Sequence, residues 1–142
     1  MKRNSRLSLA LHTLAHMAGN PKQMRTSSDI AAHMGTNAVV VRRVLGRLRE
    51  AGLLKSEKGH SGGWQLARAP EKITLADVYT GLEEQLIARN DLQEQPVCSV
   101  EHTLYFRIFG IMQDMEQTLI DKLASTTIAE ISEAAGQVHP NE

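Results

Sequence analysis

Three groups of residues in this 142-residue chain have the types and spacing to do chemistry. His12 and His16 stand four apart, which puts two imidazoles on one helix face, where a pair can hold a metal ion. No glutamate follows His12, so the zinc-hydrolase pattern His-Glu-x-x-His is absent. A contact at a subunit or domain boundary accounts for the same pair. Cys98 is the single cysteine and cannot form an internal disulfide. It precedes a long helical pattern, and at a helix start a thiolate is favoured by the dipole. Arg42, Arg43, Arg47 and Arg49 form the third group, a cationic cluster suited to a polyanion. A nucleophile beside a base, or paired carboxylates in a pocket, cannot be found. There is no Walker loop and no Gly-x-Ser-x-Gly, and the serine and histidine of GHSGGW (residues 59–64) fall in a turn. The chain reads as a non-enzyme.

The elements that must position these groups follow from periodicity. Residues 5–18 read as an amphipathic helix with Leu7, Leu11, Leu14 and Ala18 inward, capped by Asn4 or Ser5 and ended at Gly19. Ser27 or Ser28 caps a second, short helix that stops at Gly35. Asn37 caps a third, Ala38 to Glu50, with Val41, Val44, Leu45 and Leu48 inward and the arginines off that stripe. Gly52 ends it where a left-handed residue is needed. Leu53–Glu57 and Trp64–Ala67 alternate as two strands around a glycine-rich turn. The order is helix, turn, helix and wing, and Arg42 and Arg43 lie in the half of the third helix that meets base edges in such readers. Trp64 is expected to pack under the wing in preference to stacking on DNA.

Beyond the wing, Pro70 breaks the chain, and Thr74 with Asp77 forms a near capping box for a helix running to about Glu83. Residues 84–98 are irregular and polar. Ser99 caps a long helix from Val100 to about Ala124, whose apolar stripe (Val100, Leu104, Ile108, Ile111, Met115, Leu119) exceeds what one small domain can cover. A second copy of the same helix is the expected partner. Thr127–Ala135 adds a last short helix, and Gly136–Glu142 should fray.

Composition narrows the class. Residues are 42% hydrophobic and only 4% aromatic, so the core is aliphatic. The net charge of zero hides a split. Residues 1–68 hold 12 Lys/Arg against 3 Asp/Glu, and residues 69–142 hold 4 against 13. The sign changes at the end of the wing, which suits a DNA-facing half and an acidic half held away from it. No apolar run is long enough to span a bilayer and no secretory signal is visible, so a cytoplasmic protein without membrane contact is expected. A winged helix used for protein–protein contact is the competing reading, and the basic half argues against it.

The segment LREAGLLKSEKGHSGGWQLAR (residues 48–68), followed by ITLADV (73–78), resembles the Rrf family of bacterial regulators (IscR-, NsrR- and CymR-like), and the resemblance runs over nearly the whole chain. It implies a homodimeric winged helix-turn-helix transcription factor, commonly a repressor, on a roughly palindromic double-stranded DNA operator, with iron–sulfur, nitric oxide or redox sensing in many members. Cluster-binding members carry three cysteines in the loop before the long helix. Here that loop has Cys98 alone, so the three-cysteine site is absent. A rarer arrangement holds a [2Fe–2S] cluster between subunits on one loop cysteine, two histidines and a glutamate. Matched motif by motif, it implies Cys98, His12 and His33. The glutamate position is Ser8, a poor iron ligand, which leaves His16, Glu101 and His102 as substitutes. Imidazole ligation would raise the potential of such a cluster. Cys98 as a metal-free thiol sensor, or as a packed residue, stays beside that reading, and His33 could equally face solvent near DNA.

The whole chain thus reads as mainly α with a small β-hairpin wing. Residues 1–83 form the winged helix-turn-helix, 84–99 a sensor loop, and 100–142 a dimerisation helix and tail. The expected DNA contacts are Ser28, Asn37, Ala38, Val39, Arg42, Arg43 and Arg47 from the helices, and Lys58, His60, Ser61 and Gly62 from the wing.

Overall fold

A computed structural model describes residues 5–59, 62–83 and 98–138. Ser5 accepts a hydrogen bond from the Ser8 amide at 3.0 Å and starts helix α1, Arg6–Gly19. Its buried face is Leu7, Leu9, Ala10, Thr13, Leu14 and Met17. Leu11 and Ala18, expected at the centre of that face, are only partly buried. The face is wider and rotated because α1 is covered by several elements at once, including the last helix.

Helix α2, Ser27–Met34, is capped by Thr26, whose hydroxyl accepts from the Asp29 amide at 3.1 Å. The expected caps Ser27 and Ser28 are one and two residues too late. Ser27 is already helical, and its hydroxyl accepts the Trp64 indole N–H instead. Gly35, at φ +68, closes α2 in the left-handed region that glycine enters without a Cβ clash. Helix α3, Ala38–Glu50, starts on Asn37, whose Oδ1 accepts from the Val40 amide at 3.0 Å. Val41, Val44, Leu45 and Leu48 are fully buried. The β-branched run Val39–Val41 is tolerated because Val41 packs in the core while Val39 stands outside it. At the end of α3 the Gly52 amide bonds the Arg49 carbonyl and the Leu53 amide bonds Leu48, both at 2.9 Å. This is the paired closure that a left-handed glycine permits.

The hairpin pairs β1, Leu54–Glu57, with β2, Gly63–Leu66, in the register Leu54↔Leu66 and Ser56↔Trp64. The strands are one residue shorter at the open end than expected, although the Ala67 amide still bonds the Leu53 carbonyl. Arg25 and Trp64 exchange backbone hydrogen bonds in both directions, which fastens the hairpin to the segment before α2. Leu54, Trp64 and Leu66 join the core.

A short 3-10 helix, Pro70–Lys72, leads to α4, Leu75–Gly81. The capping box is complete with aspartate. The Thr74 hydroxyl accepts from the Asp77 amide, and an Asp77 carboxylate oxygen accepts from the Thr74 amide. The helix stops two residues short of Glu83, which takes φ +55. Helix α5, Ser99–Leu123, is capped by Cys98 and not by Ser99, with the Glu101 amide 3.4 Å from Sγ. Helix α6, Ile128–Val138, starts one residue later than expected and continues past Gly136. Ile128 is fully buried and its amide bonds the Ile73 carbonyl at 2.8 Å. The C-terminal segment therefore contributes to the same core as the winged unit. Among the described residues no helix is long and apolar enough to cross a membrane.

Candidate nucleic-acid interface and histidine cluster

The outer face of α3 is set by its inner one. With Val41, Val44, Leu45 and Leu48 committed to the core, Val39, Arg42, Arg43 and Gly46 share a free face at helical spacing. Val39, Arg42 and Arg43 are exposed. A Cβ added at Gly46 would meet nothing within 4 Å, so no internal neighbour requires a glycine there. Ser28, on α2, and Asn37, the residue before α3, are exposed, and Ala38 is half-buried. The Asn37 side-chain oxygen is occupied by capping. Arg47 is half-buried and lies 3.6 Å from the Glu83 carboxylate. With Glu83 largely exposed, the pair contributes little to stability, but it draws Arg47 toward the end of α4. Arg49 turns the other way, donates to Ser56 Oγ at 3.2 Å, and lies over the Trp64 ring.

On the wing, Lys58 is exposed and Gly59 has φ +110. A side chain at Gly62 has no room, because its Cβ would strike the Glu57 carbonyl. Expected contacts His60 and Ser61 lie outside the described residues, as does the sensor loop up to residue 97. Trp64 is buried, as its strand position suggested, and its Nε1 donates to Ser27 Oγ at 2.8 Å.

The second feature is a cluster of three imidazoles. His16 Nε2 is 3.0 Å from His12 Nε2 and 3.1 Å from His33 Nε2. Ligand atoms of all three lie within 4.8 Å of one another, and all three residues are exposed. His12 and His16 occupy adjacent turns of α1, and His33 is in the last turn of α2. The structure thus brings His12 and His33 into one cluster with His16, which the sequence offered both as a partner to His12 and as a substitute for the fourth ligand. Cys98 is exposed at the start of α5 and does not belong to the cluster. Beside the cluster is a cavity of about 140 Å³ lined in part by Thr13, His16, Arg25, Asp29 and His33. The Thr13 hydroxyl and the Arg25 Nε are buried without a hydrogen-bond partner among the described residues.

Comparison with known proteins agrees with this architecture. A family model described as "Rrf2: Iron-dependent Transcriptional regulator" matches residues 3–134. YwnA of Bacillus subtilis (strain 168), a candidate HTH-type transcriptional regulator by name, is 31% identical over 131 residues, covering 90% of this chain and 95% of that protein. NsrR of Halalkalibacterium halodurans, an HTH-type transcriptional regulator, is 28% identical over 134 residues, covering 88% and 92%. Among solved structures, one named as a candidate DNA-binding protein matches with a TM-score of 0.72 at 28% identity, over 89% of this chain and 98% of that one. CymR of B. subtilis matches in fold, with a TM-score of 0.65 at 21% identity over 94% and 98%.

Proposed function

The chain belongs to the Rrf2 family of transcriptional regulators, and from that premise we propose that it works as a homodimeric repressor that sets α3 in the major groove of a near-palindromic operator. It is a DNA-binding regulator by family, and its relatives are regulators and not enzymes. The observation that carries the finer reading is the α3 face. Val39, Arg42 and Arg43 stand exposed together at the end of the chain that carries the positive surplus. In this reading Arg42 and Arg43 read base edges. Ser28, Asn37, Ala38, Val39 and Arg47 position the helix against bases and backbone. Lys58 and Gly62, with His60 and Ser61, bring the wing to the adjacent minor groove or phosphates.

Dimerisation is assigned to α5. Its C-terminal residues Leu119, Ile120 and Leu123 pack on the protomer's own core, while Val100, Leu104, Ile108, Ile111 and Met115 are exposed. A contiguous apolar row of that kind is the sort of surface a symmetric partner covers. The division into a reading unit (1–83), a sensor loop (84–99) and a pairing segment (100–142) is one of function, since α6 shares the reading unit's core.

For the signal, the family resemblance implies a [2Fe–2S] cluster on Cys98, His12 and His33. The donors gathered here do not fit it. His16 lies between His12 and His33, no thiolate is among the three, and Ser8 stands at the fourth position. Cys98 lies outside this group within the protomer. Cys98 as a metal-free thiol sensor is supported by its exposure at the N-cap of a 25-residue helix that carries the pairing surface. A change of charge or bulk there would bear on how two copies meet.

The test is binding of the purified full chain to DNA fragments across a salt series. A reader of this type should bind unrelated fragments with an affinity that falls steeply with salt. It should retain tighter binding to its own promoter region. Salt-insensitive or absent binding to both would remove the operator reading and favour a protein–protein module.

A further inference from the structure

We propose that His12, His16 and His33 form a binding site for a single divalent cation of the zinc, nickel and copper class, with no contribution from Cys98. All three ligand atoms lie within 4.8 Å of one another, close enough for modest side-chain rotation to bring them onto one ion. Tetrahedral zinc with Zn–N of about 2.0–2.1 Å separates its nitrogen ligands by roughly 3.3 Å. The Nε2 pairs at 3.0 and 3.1 Å need only a small opening to reach that separation. The rings of His12 and His16 are nearly parallel, while His33 stands across both. Rotation of exposed side chains supplies the turn that converges their lone pairs.

Hydrogen bonding accounts poorly for the same arrangement. Each Nε2 has one in-plane direction, holding either a proton or a lone pair. His16 Nε2 faces two such atoms at hydrogen-bond distance, and one direction serves one of them well. A cation takes all three lone pairs together. If instead the rings were protonated, like charges would stand about 3 Å apart.

A second observation points to an occupant. Thr13 is 3% exposed, its hydroxyl has no hydrogen-bond partner among the described residues, and the residue lines the cavity that His16 and His33 also line. Three protein ligands leave one position of a tetrahedron open, and that cavity has room for a water molecule completing the shell. Imidazole donors select borderline ions over magnesium or calcium, which prefer oxygen. Asp29 lines the cavity but lies outside the ligand group.

Bound there, an ion ties two turns of α1 to the last turn of α2, the helix that precedes the DNA-reading one. It holds only the folded arrangement, so it raises the melting temperature. The proposal does not depend on the DNA reading, and DNA binding of the same chelator-treated protein separates failure of one from failure of the other.

The experiment is titration of chelator-treated, full-length protein with Co²⁺ near neutral pH, followed by its visible absorption, with Zn²⁺ as competitor and as the ion in thermal unfolding. Saturation at one Co²⁺ per chain, displacement by Zn²⁺ and a raised melting temperature are expected. His16→Ala and His33→Gln should each abolish all three responses, while Cys98→Ser and His102→Ala leave them unchanged. The substituted histidines are exposed, so the variants should melt like the wild type without metal, and two different replacements guard against one misfolding. Absence of saturable Co²⁺ binding overturns the site. So does binding that survives His16→Ala, and binding lost in Cys98→Ser reassigns the metal to a cysteine-containing centre.

Discussion

Trp64 and Ser27 are joined by a 2.8 Å hydrogen bond from the indole Nε1 to the serine hydroxyl, across 37 residues of chain. The bond ties the wing to the first helix of the reading pair, with Arg49 over the outer side of the ring. Ser27→Ala leaves a buried indole N–H unpaired and should cost about 1–3 kcal/mol. Trp64→Phe removes the donor with it, and the double variant should be less destabilised than the two losses added. Urea unfolding of the four proteins measures this. Strict additivity would show that the bond contributes nothing of its own.

Arg42 and Arg43 project from a helix whose other side is fully buried, so neither is needed for folding. Arg42→Ala and Arg43→Ala should keep the wild-type melting temperature and weaken operator binding. A lost bidentate contact to guanine should reduce discrimination at that base pair by about 1–3 kcal/mol. Fluorescence anisotropy on operator and point-mutated operators distinguishes this from a phosphate contact, which would weaken all sequences alike. Unchanged affinity in both variants would falsify the assignment of this face.

Gly46 lies on the same face with open space around it. Gly46→Ala should stabilise the protein by up to about 1 kcal/mol, because alanine is the better helix former. If α3 approaches DNA closely here, the same substitution should lower DNA affinity. Stability rising without any change in binding would place the groove contact nearer the start of the helix.

Ile111 is 58% exposed in the protomer, in the middle of the apolar row of α5. Ile111→Asp should therefore leave the protomer folded while breaking a dimer that buries this row, since an unpaired charge there would lose its water. Light scattering should report the monomer mass, with DNA binding much weakened. A wild-type protein that is itself monomeric at micromolar concentration rules the seam out.

Cys98 caps α5 through its side chain, and serine is among the best residues for that role. Cys98→Ser should keep or slightly raise stability. It should also remove any loss or gain of DNA binding on treatment with hydrogen peroxide, which oxidises a thiol to sulfenic acid but leaves serine alone. A peroxide response as large in the variant as in the wild type shows that the thiol is not the sensor.

Much of the reading unit was legible before folding because its signals are local. Asn37 and Gly52 bracket α3 because a cap side chain and a left-handed glycine act on backbone groups within a few residues. Thr74 and Asp77 form their box for the same reason. The alternation of Leu54, Trp64 and Leu66 is a property of a strand alone, and the charge split is a property of composition. What sequence left undecided were choices between neighbours that only distant partners settle. Thr26 rather than Ser27 caps α2 while the Ser27 hydroxyl is taken by an indole 37 residues away. The inward face of α1 shifted toward Ala10 and Met17 because elements from both ends of the chain cover it. Ile128, read only as part of a short last helix, completes the core and its amide bonds the Ile73 carbonyl. His16 and His33 are 17 residues apart, on different helices. Each histidine's face follows from helical periodicity, but the distance between them depends on how α1 and α2 pack, and packing is decided by the whole core at once.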